Sequence, residues 1–441
     1  MLLDDLRWRG LVHQTTDDAG LAAWLEAKPR VVYAGFDPTA DSLHVGSLLP
    51  LLLLRRFQRA GHKPIAVVGG ATGMIGDPSG KSQERNLLSK EVLDHNVASL
   101  GEQMRQFLDF DGHSAAVFVN NIDWVGPWSY LEFLRDVGKN FPVNVMLAKD
   151  SVKGRLGRED GHSGDDQAGV DKAGDRAGMS YTEFSYMLLQ AYDFVHLFDT
   201  YDCELQVGGS DQWGNITAGI DLARRMRSVQ LYGMTCPLLT KSDGTKMGKT
   251  EQGAVWLAAD RTSPYQFYQY LINVDDADVG PCLRMLTELP REEIEALDSA
   301  RAEDAAARAS QTCLAEELTR SVHGDAGLAA ARRATEIFFG AEIADLDDTQ
   351  LGEIFADVPS QTVSKELLTK DGGLPIVEAL VLAGLAKSKG EARRTVEQGG
   401  VYVNNRRVDG VETRLTAADL ASRSVMVLRT GKKKYALLRF E

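Results

Sequence analysis

The chain has 441 residues, 44% of them hydrophobic and 25% charged, with a net charge of −14. That length suits two to four domains with an ample core, and the composition is that of a globular protein rather than a fibrous or disordered one. No run reaches the roughly 18 apolar residues of a membrane span, so no membrane partner is expected.

The start, Met1 to Arg9, lacks a basic flank followed by an apolar core, so no secretory signal is expected. Thr15-Thr-Asp-Asp followed by an Ala/Leu/Trp-rich run to Ala27 reads as a capped helix. Val31 to Phe36 reads as a strand, and Pro38-Thr39-Ala-Asp-Ser-Leu-His44-Val-Gly46-Ser47 carries it into an apolar helix predicted over Leu48 to Phe57. A helix that starts above a strand end aims unpaired N–H groups and the positive end of its dipole at a ligand, which suits phosphate. Gly46, lacking a Cβ, lets a nucleotide approach the backbone.

Ile65 to Gly70 is a second buried strand, and Ala115 to Asn120 and Leu205 to Gly208 extend the pattern. Continuous apolar strands separated by helices indicate an α/β fold, a doubly wound parallel sheet covered on both faces. The glycine-rich run Gly69 to Ser82 matches neither nucleotide fingerprint. Its glycine spacing is wrong for G-x-G-x-x-G, and only three residues separate Gly76 from Gly80 where a P-loop needs four. It is expected to be a tight loop at strand ends with Asp77 facing a ligand. Arg158 to Gly178 is Gly- and Asp-rich, nearly free of large apolar residues, and reads as a flexible insertion.

On the helix beginning at Tyr181, Tyr186, Gln190 and Asp193 stand at i, i+4 and i+7 and share one face. Further on, Lys246-Met-Gly-Lys249-Thr250 places two ammonium groups on a glycine-containing loop, suited to charge on a transferring phosphate. The pattern is helical from about Ser263 to Ala344, mixed and linker-like from Asp345 to Gly373, and then that of a small α/β module. From Val381 to the end there are thirteen Lys and Arg against six Asp and Glu, a net +7 that leaves −21 on the rest. A basic module on an acidic body suggests a tail that meets a polyanion. Cys203, Cys236, Cys282 and Cys313 form no C-x-x-C pair, which argues against a disulfide framework and a zinc site and fits a reducing cytoplasm.

Five strings together, residues 33–47, 68–81, 181–193, 206–219 and 243–250, resemble the bacterial tyrosyl-tRNA synthetases, class I aminoacyl-tRNA synthetases, over nearly the whole chain. His44-Val-Gly-Ser resembles the HIGH motif of class I synthetases, and Lys246-Met-Gly-Lys-Thr resembles the KMSKS loop. The resemblance implies a Rossmann-like catalytic domain over 1–255 (with the insertion at about 158–178) and a helical anticodon-recognition domain over 256–344. A linker over 345–373 and an S4-like RNA-binding domain over 374–441 follow. The implied reaction joins tyrosine to ATP as tyrosyl-adenylate, releasing pyrophosphate, and then transfers tyrosine to the 3′ end of tRNA(Tyr).

Carried over position by position, Thr39, His44 and Ser47 meet the ATP phosphates from one side, while Lys246, Lys249 and Thr250 close from the other. Gly46, Gly209, Asp211 and Lys249 belong to the ATP site, with Gly209 and Asp211 on the adenylate sugar and backbone. Tyr186 and Gln190, assisted by Asp77, hold the amino group of tyrosine. Asp193 and Tyr33 bind its phenolic hydroxyl, and Gln212 lies near its carboxylate. Lys387, Lys389, Arg393, Arg394, Arg406 and Arg407 are the implied tRNA contacts. Residues 121–150 match the region through which the family forms homodimers. Mg²⁺ is expected with the ATP, with no metal cage, zinc or organic cofactor in the protein, and the reaction is expected in the cytoplasm.

Ser47 departs from the family, which usually has His or Asn there, and the insertion is longer than the family norm. Two rival readings stand beside this one: a tryptophanyl-tRNA synthetase, against which Tyr33, Asp193 and the basic tail argue, and a specialised paralogue that binds RNA but charges it poorly.

Overall fold

Strands apolar on both sides are stable only where both faces of a sheet are covered, and the apolar runs of this chain meet that condition. The computed structural model describes residues 1–77, 88–149, 152, 179–250, 253–343, 346–355, 358–432 and 434–441, without the side chains of Lys249, Thr250 and Glu353. The expected insertion over 158–178 and Gly80 to Ser82 of the glycine-rich run lie outside the described residues. Two compact units are formed: Met1–Thr262 with Ile272–Val322, and Ser263–Leu271 with His323–Glu441.

The first unit is built on a six-stranded sheet. Its strands are β1 (Gln14–Thr15), β2 (Val31–Phe36), β3 (Lys63–Val68), β4 (Val117–Asn120), β5 (Cys203–Gly209) and β6 (Tyr232–Cys236). They lie in the order β1-β6-β5-β2-β3-β4. All pairs are parallel except β1 with β6. From β2 the chain winds outward through β3 and β4, and from β5 it winds the other way to β6. The reversal opens a crevice beyond the carboxyl ends of β2 and β5. Across it, Tyr33 and Gln206 are register partners. The two-residue β1 and the strand β6 carry no clear period-2 signal and were not expected.

The helix after β2 spans Val45–Arg59, three residues earlier than predicted. Leu48, Leu49, Leu51 to Leu54 and Phe57 are all buried, as expected of so broad an apolar face. The helix from Tyr181 runs to Tyr201, held at its start by a capping box between Ser180 and Glu183.

The helical stretch expected over 256–344 does not separate as a unit of its own. Asp276–Leu286 belongs with the six-stranded sheet's unit: buried Arg9 and Arg56 both donate to the backbone carbonyl of Thr287, and Arg9 also donates to those of Arg284 and Leu289. The boundary at 322/323 falls beside Gly324, whose φ of 70° interrupts the Ala309–Phe338 helix.

The second unit centres on a five-stranded sheet in the spatial order Arg406–Arg407, Val401–Val403, Val425–Thr430, Lys434–Phe440 and Ser360–Val363. Alternation along Val425–Thr430 decides which core each residue joins. Met426 and Leu428 face the helices Ile376–Leu382 and Lys389–Glu397. Val425 and Val427 face Ile337, Leu351 and Phe355. The stretch read as a linker over 345–373 therefore supplies a helix, Asp348–Ile354, and an edge strand, Ser360–Val363, paired parallel with Lys434–Phe440. Its acidic, Pro- and Gly-containing composition hid both. No described helix is long and apolar enough to cross a membrane.

Candidate active site

A cavity of about 400 Å³ occupies the crevice at the strand reversal. Its closed end lies against the middle of the sheet. Tyr33 on β2 is 1% exposed, packs edge-on against Phe194 at 5.1 Å, and its Oη has no hydrogen-bond partner among the described residues. Burial and the nearby charge of Asp193 push its pKa well up, so it stays a neutral phenol.

Asp193, 4% exposed, is held on both oxygens: Trp124 Nε1 donates to Oδ1 at 2.8 Å and Asn121 Nδ2 donates to Oδ2 at 3.1 Å. Burial pushes the Asp193 pKa up to about 7, and these two bonds oppose the shift. The Trp124 ring is fixed in turn by stacking on His196, 4.5 Å between centroids. Asn121 Oδ1 accepts from the Ala71 N–H at 2.7 Å, and Asn121 Nδ2 also donates to Thr72 Oγ1 at 3.0 Å. This explains the glycine-rich run. A Cβ on Gly70 would lie 2.2 Å from Asn120 Oδ1, so the glycine serves close packing against β4 rather than a phosphate.

The middle of the cavity is a chain of amides ending on a carboxylate. Gln190 Nε2 donates to Gln212 Oε1 at 3.2 Å, and Gln212 Nε2 donates to Asp77 Oδ2 at 2.7 Å. Asn215 Nδ2 also donates to Gln212 Oε1, at 3.1 Å, which sets the orientation of that amide. Gln190 Oε1 is left buried without a partner among the described residues, and Gln190, Tyr186 and Asp77 line the same cavity. Asp211 on the same wall has its pKa raised, first by burial and then by the charge of Asp77.

The mouth is made by two backbone segments. His44 is the N-cap of the Val45–Arg59 helix, with no side-chain capping bond, and Ser47 donates its N–H to the His44 carbonyl at 2.8 Å. Ser47 is therefore the third helical residue, and the cap falls on His44. A Cβ on Gly46 would lie 2.9 Å from His44 Cε1, so only glycine lets the imidazole fold against the helix start. Opposite, a hairpin bridged between Thr240 and Lys246 presents Lys246, exposed, to the same opening. The segments are tied together: His44 bridges to Trp256, Val45 N–H donates to Val255, and Val255 N–H donates to Gly248.

Tyr33, Thr39, His44, Gly46, Ser47, Asp77, Tyr186, Gln190, Asp193, Gly209, Asp211, Gln212 and Lys246 all line this one cavity. The side chains of Lys249 and Thr250 lie outside the described residues. The six basic residues Lys387, Lys389, Arg393, Arg394, Arg406 and Arg407 stand in the second unit, all exposed. Sequence reasoning missed Asn121, Trp124 and Gln206. Gln206 is 2% exposed with Oε1 unpartnered among the described residues, and it lines the cavity beside Tyr33. Its place two residues before Gly208 on a short apolar strand was the available signal. Among the described residues no group of three or more His, Cys, Asp or Glu is arranged to hold a metal ion. Cys236, on the cavity wall, is buried with its pKa pushed up to about 12, so it is no nucleophile.

A family model described as tRNA synthetases class I (W and Y) matches residues 25–340, and one described as a tyrosine–tRNA ligase C-terminal domain matches residues 350–438. A tyrosine–tRNA ligase of Rhodopirellula baltica is 60% identical over 440 residues, 100% of this chain and 96% of that protein. One of Roseiflexus castenholzii is 52% identical over 439 residues, 99% of each. Among solved structures, a C-terminally truncated mitochondrial tyrosyl-tRNA synthetase of Aspergillus nidulans superposes with a TM-score of 0.64 at 31% identity, covering 76% of this chain and 93% of that one.

Proposed function

The chain belongs to the class I tRNA synthetases, in their tryptophan and tyrosine family, and acts as a tyrosine–tRNA ligase; from that premise we propose how its own residues divide the work. The observation that carries the assignment of roles is the closed end of the cavity. A buried neutral phenol without a partner among the described residues stands beside a carboxylate held on both oxygens, which is a receptor for one further hydroxyl.

The phenol of the substrate donates to Asp193 and accepts from Tyr33. Phenylalanine would leave the Tyr33 hydroxyl buried and unsatisfied and set an apolar ring edge against Asp193 in place of a further donor, so it is rejected by the protein's own polar groups. The ammonium meets three acceptors, Asp77, Gln190 Oε1 and Tyr186 Oη, and Gln212 offers the second hydrogen of Nε2 to the carboxylate. That carboxylate attacks the α-phosphorus of ATP, the bond to the bridging oxygen breaks, and pyrophosphate leaves. No group of the protein becomes covalently attached, so catalysis is positioning plus stabilisation of developing charge. Thr39, His44, Ser47 and the N–H groups at Gly46 face the phosphates from the helix start. Lys246, Lys249 and Thr250 face pyrophosphate from the other side, and Gly209 and Asp211 hold the sugar. Mg²⁺ arrives bound to ATP as part of the substrate.

In the second step the terminal ribose hydroxyl of the tRNA attacks the acyl carbon and AMP leaves. The exposed cations from Lys387 to Arg407 grip the tRNA backbone. Homodimer formation through residues 121–150 is supported by apolar side chains left on the surface there, Tyr130, Leu131, Val143, Val145 and Leu147, with Leu131 76% exposed. The reaction belongs in the cytoplasm, where its tRNA and ATP are.

One experiment tests these roles: ATP–pyrophosphate exchange across all amino acids, followed by tRNA charging. Exchange should respond to tyrosine and not to tryptophan or phenylalanine. The double variant Arg393→Glu/Arg394→Glu should retain exchange and lose about tenfold in charging at moderate salt. Equal loss of both half-reactions would overturn the division of labour.

A further inference from the structure

The hairpin that delivers Lys246 is short and exposed. Lys241 N–H donates to Thr245 at 2.8 Å and Gly244 N–H donates to Lys241 at 2.9 Å, and Ser242 to Lys246 all face solvent. A hairpin of this size has little stability of its own, so what fixes the direction of the Lys246 ammonium must come from outside it.

Two contacts come from one face of the Asp276–Leu286 helix. Asp278, 6% exposed, accepts the backbone N–H of Ser242 at 2.8 Å. Four residues on, and therefore on the same helical face, Cys282 places Sγ 3.4 Å from Sδ of Met247, itself 5% exposed. Lys246 lies between these two attachment points, four residues after Ser242 and one before Met247. The helix that makes the grip is itself anchored: Arg284 pairs with Asp298 at 2.7 Å, and Gln311 Nε2 donates to Asp276.

An acidic residue in a helix's first turn is favourable facing solvent. Burying this one is offset by a charge-assisted bond to a backbone N–H that lies 36 residues away in sequence. We propose that Asp278 is a positioning residue for the activation step, holding the Lys246 hairpin at the mouth of the cavity so that the ammonium meets the departing pyrophosphate. It lies in the stretch whose sequence suggested tRNA recognition, and its role rests on the reading of Lys246 as a pyrophosphate-facing group. Because the grip acts on a group that matters most as charge separates, its loss falls on the rate of activation and not on tyrosine binding.

The test uses the full chain, with adenylate formation followed by rapid quench and tyrosine Kd by equilibrium dialysis. Asp278→Ala should slow adenylate formation at saturating ATP about tenfold or more, with tyrosine Kd within twofold of the parent. Asp278→Asn keeps an oxygen acceptor at the same reach and should restore the rate to within about threefold. Trypsin cleavage after Lys241 and Lys246 should speed up in Asp278→Ala and not in Asp278→Asn. Should the alanine variant fold poorly, Asp278→Ser, polar but too short to reach Ser242, takes its place with the same expectations. A parental rate in the alanine or serine variant, a matching loss of tyrosine affinity, or an asparagine variant as slow as alanine overturns the proposal. Lys246→Ala run in parallel separates the two readings. If it activates at the parental rate, the role given to Lys246 fails; if it is slow while the Asp278 variants are not, only the positioning role fails.

Discussion

The two ends of the cavity are built on opposite physical terms. At the closed end the polar groups are buried and the carboxylate is prewired, Asp193 by Asn121 and Trp124, and Trp124 by His196. At the open end Thr39 and Lys246 are exposed, His44 folds against its own helix start, and the hairpin opposite is held from outside by a helix. Discrimination between side chains that differ by one hydroxyl needs rigid groups already removed from water, because the penalty on the wrong substrate is the cost of leaving them unsatisfied. Stabilising a leaving pyrophosphate needs charge that can approach a flexible, hydrated group, and that is compatible with exposure.

The largest effect should come from breaking the closed end. Asp193→Ala should lower kcat/KM for tyrosine by about 100-fold or more, with the preference for tyrosine over phenylalanine collapsing in parallel. Steady-state exchange with both amino acids measures it, and an unchanged ratio would remove Asp193 from the specificity pocket. Lys246→Ala probes the open end and should differ in kind. A loss of some tens of fold in the rate of adenylate formation is expected with tyrosine Kd unchanged; equal losses would erase the contrast between the two ends.

A third test uses stability. The native pKa of Asp193, about 7, lies above its unfolded value, so the folded chain binds the extra proton. The group's contribution is therefore fully present below the unfolded pKa and is lost as pH rises through 7. Asp193→Asn carries no charge but turns its NH2 towards one of the two donors, Asn121 or Trp124, so it costs stability at low pH; relative to the parent it should gain about 1–2 kcal/mol as pH rises from 4 to 8. Denaturant melts at several pH values decide this, and a difference independent of pH would mean Asp193 is not strained by burial. The smallest effect is expected at Ser47. Ser47 stands in the first helical turn with its N–H bonded to the His44 carbonyl, and Ser47→His should raise adenylate formation about threefold through a longer donor. An unchanged or slower rate would show that this wall of the mouth is not limiting.

Much of the site was legible because its signals are local. The i, i+4, i+7 spacing of Tyr186, Gln190 and Asp193 fixes a shared face wherever the helix goes, and the His44-x-Gly46 step needs only the geometry of one helix start. Boundaries were less legible. The Val45–Arg59 helix begins three residues before the apolar run, because His44 can cap it without contributing any hydrophobic signal. The Ser360–Val363 strand was hidden for a related reason: it is an edge strand with three exposed residues, and nothing in its composition marks it.

What the sequence by itself determined is the set of elements whose information lies within a turn or two of chain: the apolar strands, the buried helix, the helix start at His44 and Gly46 and the polar face of Tyr181–Tyr201. Tertiary structure alone decided what those elements meet. The partners of Asp193 lie 69 and 72 residues away, Gln206 stands beside Tyr33 only because β5 pairs with β2, and Asp278 reaches Ser242 across 36 residues. Such contacts follow from sheet order and helix packing, and hydrophobic periodicity says which face of an element is buried but not which polar group is waiting there.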